Sequence, residues 1–159
     1  MVTPVQDQGQ CGSCWIFAPL SVIESVNAIA KNPLVQLSIQ QLMDCVKPPD
    51  YLSNGCEGGT ADDVYKFVQQ FGVVWTHNYP QQYNSGYNLG YNNNNQVGYC
   101  HNVSGRWGEW ISMYNFLDIN TTDDQIMWTL YNYGPVAAII NAGDREFMLY
   151  RFVCLFFFD

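Results

Sequence analysis

From Cys14 onward the apolar residues Phe17, Leu20, Ile23, Val26 and Ile29-Ala30 return every three or four positions. The pattern predicts a helix to about Lys31, closed by Asn32-Pro33, with Ser13 placed to cap it. Pro19 falls inside this helix; without an N–H, and crowding the preceding turn, it costs about 3 kcal/mol if the helix is regular there. Before Cys14, Pro4, Gly9 and Gly12 break any periodicity, so residues 1–13 read as loop. "SIQQLMDC" (38–45) predicts a short helix with Ser38 and Gln41 as a capping box. "NGCEGG" (54–59) reads as a turn, and "TADDVYKFVQQFG" (60–72) as an amphipathic helix ended by Gly72. Residues 78–99 contain seven Asn and no charged residue, and read as a long irregular loop. "WISMYNFLDI" (110–119) and "VAAIIN" (136–141) predict strands. Between them Thr122 and Gln125 form a second capping box, with Asp123 and Asp124 in the first turn, and Gly134-Pro135 stops that helix. "FVCLFFFD" (152–159) reads as a buried strand. The early half is mainly helical and the late half mainly strand, which predicts two lobes.

Composition narrows the functional classes. A chain of 159 residues with 48% hydrophobic content is globular, large enough for one domain or two small lobes sharing a core. Net charge is −8, from 6 Lys+Arg against 14 Asp+Glu. An acidic chain without a basic stripe argues against nucleic acid or an anionic membrane as partner. No apolar run reaches the length of a membrane span. Met1 is followed directly by Val2-Thr3-Pro4, so no secretory signal peptide is read here. Six cysteines and two acceptor sequons, at Asn102 and Asn120, nevertheless suggest an oxidising, secretory origin and predict glycosylation at those two asparagines.

Cys11 and Cys14, in "QGQCGSCW" (8–15), admit three readings. A thioredoxin-type redox pair would follow a strand and carry its Trp before the first Cys; here Trp15 follows the second. A zinc half-site would want a second C-x-x-C or a His pair, and Cys45, Cys56, Cys100, Cys154, His77 and His101 supply neither. No metal or organic cofactor is expected. The third reading is a nucleophile. Cys14 lies in the first turn of the predicted helix, where the dipole favours a thiolate. The Gln8 amide and the Cys14 N–H are suited to receive an oxyanion.

The segment "VTPVQDQGQCGSCWIF" (2–17) resembles the active-site region of papain-like cysteine proteases, the cathepsin family. The resemblance continues through "LSIQQLMDC" (37–45), "NGCEGG" (54–59), Tyr79-Pro80, Cys100, "YGPVAAIINA" (133–142) and "EFMLYR" (146–151). It implies an α+β fold of the papain-like two-lobe type, with the helical left lobe (about 1–104) nearly complete and the β-barrel right lobe (about 105–159) incomplete. It implies a cysteine endopeptidase, lysosomal or secreted, with Cys14 as nucleophile and Gln8 in the oxyanion hole. Trp15, Gly58 and Gly59 would meet an extended peptide, and Thr60, Ala61, Ala138 and Ile139 would wall an apolar specificity pocket. The implied disulfides are Cys11–Cys56 and Cys45–Cys100, with Cys154 unpaired. The implied partners are protein or peptide substrates and protein inhibitors of cysteine proteases.

The resemblance also sets an expectation that the sequence does not meet. The family's general base is a His about 130–150 residues after the nucleophile, followed by an Asn. Counted from Cys14, that window opens near residue 144, and residues 144–159 contain no His. His77 and His101 read as surface or loop residues, and Asn141 falls too early for the orienting Asn. The expectation is a chain truncated before its base, with "VCLFFFD" as sequence read through a junction, and therefore inactive in peptide cleavage. The alternative is a non-catalytic, protease-like binding or regulatory protein.

Overall fold

The computed structural model describes residues 1–80, 98–101, 108–118, 120–140, 143 and 147. The elements in chain order are α1 (Cys14–Ile29), α2 (Ile39–Cys45), a single 3-10 turn (Gly55–Glu57), α3 (Ala61–Phe71), β1 (Val73–Val74), β2 (Gly108–Glu109) and α4 (Asp123–Tyr133).

The core forms where α2 and α3 pack on α1. Ile16, Leu20 and Ile23 of α1 meet Leu42 and Met43 of α2 and Val64 and Val68 of α3, with Leu37, Val46 and Val73 closing the gaps. Each apolar stripe at helical spacing finds another, so three short helices that would be marginal alone hold one another. Helix α1 runs unbroken through Pro19, whose ring is fully buried. Burial of that ring offsets part of the cost of the missing hydrogen bond to the Trp15 carbonyl. The helix ends at Ile29 because Lys31 takes a left-handed backbone, φ 66°, ahead of Pro33.

The caps differ from one another in what they join. At α4 the box is complete: Thr122 Oγ1 accepts from the Gln125 N–H, and Gln125 Oε1 accepts from the Thr122 N–H. At α2 only half of it forms. Ser38 Oγ accepts from the Gln41 N–H at 3.0 Å, but Gln41 Oε1 accepts from the Val74 N–H at 2.8 Å instead of turning back. The cap side chain is thus spent on joining α2 to β1, a choice that local sequence does not encode. Ser13 departs further from expectation. Its hydroxyl makes no capping bond and is buried without a partner among the described residues.

Two strand expectations are corrected. Residues 110–118 form no strand; instead α3 anchors this segment through side chains. The Trp110 indole lies over Gly72, Gln69 Nε2 donates to the Ser112 carbonyl at 2.7 Å, and the Tyr114 hydroxyl donates to Asp62 Oδ1 at 2.7 Å. Residues 136–140 also form no strand, and Ile139 and Ile140 are exposed. A strand exists only with a neighbour to take its backbone bonds, and among the described residues neither segment has one. The pairing that does occur was not anticipated: Val73 opposite Glu109 and Val74 opposite Gly108, antiparallel, with a bridge between Leu37 and Trp75. The loop expected over 78–99 lies mostly outside the described residues, as does the strand expected over 152–159; Tyr79, at the start of the loop, is buried.

Candidate active site

The chain enters α1 through a loop held from both sides. A disulfide joins Cys11 to Cys56, and the Gly12 N–H donates to the Cys56 carbonyl at 3.1 Å. A Cβ at residue 12 would lie 2.6 Å from that carbonyl oxygen, so the approach requires glycine. Cys14 follows as the first residue of α1. It is exposed and is the free cysteine among the described residues, and neither its thiol nor its N–H has a hydrogen-bond partner there. The unpaired N–H follows from its position, since the first turn of a helix has no preceding carbonyls to bond. A thiolate on Cys14 and a developing oxyanion beside it would both meet the positive end of the α1 dipole.

Gln8 is half-buried, and its Nε2 donates to the Cys11 carbonyl at 2.7 Å. An amide NH2 carries two donors. One fixes the side chain to the disulfide loop and the other remains to be offered to a ligand. Trp15 is buried, and its Nε1 donates to the Gly55 carbonyl at 3.0 Å, joining α1 to the glycine turn.

In that turn the two glycines differ. The Gly58 carbonyl accepts from the Asn54 N–H at 2.9 Å, and Gly58 has φ 114°, ψ 175°, a conformation open in practice to glycine alone. Gly59 is exposed, and neither its N–H nor its carbonyl is engaged among the described residues. Behind it stand Ser53 and Trp15, so close that a Cβ would lie 2.4 Å from Ser53 Oγ and 2.5 Å from Trp15 Cδ2. The open face of Gly59 leaves one backbone donor and one backbone acceptor exposed. Thr60 caps α3 from an exposed position, and Ala61 is half-buried at its start. Ala138 and Ile139 are exposed, beyond Gly134, which faces Val26 and Ile29 at the far end of α1.

The two histidines sit elsewhere. His77 packs on Trp75, with centroids 5.4 Å apart, and His101 lies against Tyr79 and Tyr99, next to the Cys45–Cys100 disulfide. Asn120 is exposed in the turn before α4; Asn102, Asn141 and Cys154 lie outside the described residues.

Three acidic residues were not singled out from the sequence. Asp63 accepts from the N–H groups of Leu52 and Ser53 and from Ser53 Oγ. Glu24, 1% exposed, accepts from the Leu37 N–H at 2.7 Å and from the Thr3 hydroxyl at 2.8 Å. Asp44 is equally buried and accepts from Gln40 Nε2 and the Tyr79 hydroxyl, both at 2.8 Å. Only the oddity of a carboxylate inside an apolar helical stripe hints at them. A different carboxylate, Asp62, lies below its ordinary range because Lys66 and Tyr114 donate to it, and burial with this bond pushes Tyr114 up to about 12.

Burial pushes the carboxyl of Glu24 above its ordinary 4.5 and that of Asp44 above 3.8, against the hydrogen bonds that favour their charged forms. The folded chain therefore holds these protons more tightly than the unfolded chain does. Their contribution to stability is full below about pH 4 and is lost as pH rises through the raised folded values. Glu24→Gln keeps both contacts, because the Thr3 hydroxyl can accept from the new amide. The expected result is a helical lobe that melts a few degrees higher at pH 7 and unchanged at pH 3.5, followed by far-ultraviolet circular dichroism. An unaltered pH dependence would show that Glu24 does not titrate in this range.

Comparison with known proteins gives this arrangement its family. Residues 1–154 match the papain family of cysteine proteases. "Cysteine protease 1" of Oryza sativa subsp. japonica is 34% identical over 151 residues, which are 94% of this chain and 28% of that protein. "Vignain" of Ricinus communis is 34% identical over 150 residues, which are 94% of this chain and 37% of that protein. The chain thus spans well under half the length of these relatives. A solved structure from work on the limited antibody cross-reactivity between the mite allergens Blo t 1 and Der p 1 superposes with a TM-score of 0.70 at 33% identity, covering 84% of this chain and 40% of that one. The helical lobe is the part of the papain-like fold that the described residues form most fully, and the two-residue strands are all that they form of a sheet. The free Cys14 at the head of α1, the Gln8 amide and the glycine turn therefore stand in a chain that belongs to the papain family of cysteine proteases.

Proposed function

We propose that Cys14 is the nucleophile of a papain-type endopeptidase site. Its thiolate attacks the scissile carbonyl, a C–S bond forms, and the oxyanion is received by the Gln8 amide and the Cys14 N–H. Collapse expels the amine, which needs a proton, and water then cleaves the thioester. Gly59 pairs with the backbone of the substrate, beside Trp15 and Gly58. Thr60 and Ala61, beside this edge, are assigned to an apolar specificity pocket; Ala138 and Ile139, its other assigned walls, stand exposed among the described residues. The observation that carries the reading is the exposed, free Cys14 at the start of α1, joined by the neighbouring Trp15 to the glycine turn.

The proton carrier is the part these residues do not supply. Cys14 has no hydrogen-bond partner among the described residues, and the sequence's two histidines pack at other places. That observation favours a second reading, a peptide-binding chain that does not turn over. Substrates are extended peptides in either case, and protein inhibitors of cysteine proteases would occupy the same edge. No helix among the described residues is long and apolar enough to cross a membrane. The two disulfides support an oxidising, secreted or lysosomal setting, with Asn120 accessible for glycosylation. The division into lobes near residue 104 remains part of this reading.

A peptidyl epoxide tests the site. The 159-residue chain is expected to label at Cys14 with saturation, to lose all labelling as Cys14→Ser, and to show no turnover of a fluorogenic peptide. Labelling that rises only with thiol ionisation fits the site without a base; rapid labelling at mildly acid pH requires a base and overturns the second reading. Labelling without saturation would overturn the peptide site itself.

A further inference from the structure

We infer that Asp63, acting through Ser53, is a positioning residue for the peptide-binding edge at Gly59. The inference rests on the functional reading above and adds to it the element that holds this edge in place. Asp63 lies in the first turn of α3, buried. Its Oδ2 accepts three hydrogen bonds, from the Leu52 N–H at 3.0 Å, the Ser53 N–H at 2.9 Å and Ser53 Oγ at 2.8 Å. Ser53 is fully buried, and its hydroxyl in turn accepts from the Thr60 N–H at 3.0 Å. The chain from Leu52 to Thr60 leaves the core, makes the glycine turn and comes back, and this carboxylate ties its two ends together.

The remaining bonds of the turn act at other points. The Asn54 N–H holds the Gly58 carbonyl, and the Trp15 indole holds the Gly55 carbonyl. The first fixes the Gly58–Gly59 peptide unit, and neither engages the Gly59 carbonyl or the Thr60 N–H. What fixes the rotation of the Gly59–Thr60 peptide unit is the bond from the Thr60 N–H to Ser53 Oγ. That bond also decides where the carbonyl of Gly59 points, because carbonyl and following N–H belong to one plane. The hydroxyl can accept from Thr60 in this geometry because its own proton is committed to Asp63. Without the carboxylate, Ser53 Oγ is free to rotate, and the two buried donors of Ser53 and the part-buried Leu52 N–H lose their acceptor. The backbone acceptor offered to a peptide then loses its fixed direction, although Cys14, Gln8 and the disulfide loop are untouched.

Asp63→Ala, Asp63→Asn and Ser53→Ala in the 159-residue chain separate this role from general support of the fold. Each variant is titrated with a peptidyl epoxide for half-saturation and rate, and with iodoacetamide, which needs only the Cys14 thiol. Asp63→Ala is expected to raise the half-saturating concentration about tenfold or more, and Ser53→Ala about fivefold, with iodoacetamide rates within about twofold of the parent. Asp63→Asn keeps a carbonyl acceptor at the same place and is expected to stay within about threefold. An unchanged half-saturation in Asp63→Ala overturns the inference, and so does an equal loss in Asn and Ala. Equal changes with both reagents overturn it in favour of a merely structural role. If Asp63→Ala does not fold, Ser53→Ala decides: unchanged half-saturation overturns the role. Absence of saturation in the parent chain is a different failure, because it removes the peptide site and with it anything for Asp63 to position.

Discussion

Replacing Gly59 with alanine is expected to abolish saturable labelling of Cys14 by a peptidyl epoxide, with kinact/KI falling about thirtyfold or more. The added methyl would lie 2.4 Å from Ser53 Oγ, 2.5 Å from Trp15 Cδ2 and 2.6 Å from Ser53 Cβ. None of these can yield freely. Ser53 is held by Asp63, and the Trp15 indole is buried and bonded to the Gly55 carbonyl. The backbone of residue 59 must therefore move outward, into the space where a peptide would pair with it. The neighbouring Gly58 cannot absorb the shift, since its own φ of 114° already demands glycine. Alkylation by iodoacetamide, which needs no peptide edge, reports whether Cys14 remains reachable. Saturable labelling of Gly59→Ala at the parental rate would show that peptides do not pair at this edge.

The second large effect is on stability. Removing the Cys11–Cys56 disulfide by Cys11→Ser with Cys56→Ser is expected to cost the helical lobe about 4 kcal/mol, the chain entropy of an open loop of this size. The loop closed by the bond spans 45 residues and contains all of α1 and α2. Opening it releases the unfolded chain and also frees the two segments that make the site, the turn before Cys14 and the turn before Gly58. The Gly12–Cys56 backbone bond and the Trp15 indole bond to the Gly55 carbonyl would then keep them together. Denaturant unfolding of parent and double variant measures the difference. A midpoint that does not move would mean that packing of Trp15 against the glycine turn suffices. The Cys45–Cys100 bond closes a similar span, 55 residues, but at the end of the lobe where Asp44, Tyr79 and His101 meet, away from Cys14.

Much of the helical lobe could be read directly. Helices α1, α2 and α3 follow apolar spacing, and Ser38, Thr60 and Gly72 mark ends where the structure has them. The same spacing could not tell where a side chain with two suitable partners would go. Gln41 is placed for a capping box and instead holds Val74, and Ser13 is placed to cap and does not. The strands read over 110–119 and 136–141 failed for a related reason. An alternating or continuous apolar run states a preference for extended backbone, but a strand is a property of two segments, and among the described residues only Val73–Val74 and Gly108–Glu109 pair as strands, with a single bridge from Leu37 to Trp75 beside them.

Within the site the division is similar. Sequence by itself determined the chemical groups: a cysteine at the head of a helix, an amide six residues before it and a run of glycines. These are local facts, set by residue type and by spacing along the chain. Tertiary structure decided which of the two glycines presents free backbone, because Asn54 takes the carbonyl of Gly58 and leaves Gly59 open. It also decided that an aspartate on α3 and a serine 10 residues before it would hold that edge. Those outcomes depend on a hydrogen-bond donor finding its nearest acceptor in space. Such partners are chosen only when the helices pack and bring distant parts of the chain to within 3 Å or so of one another.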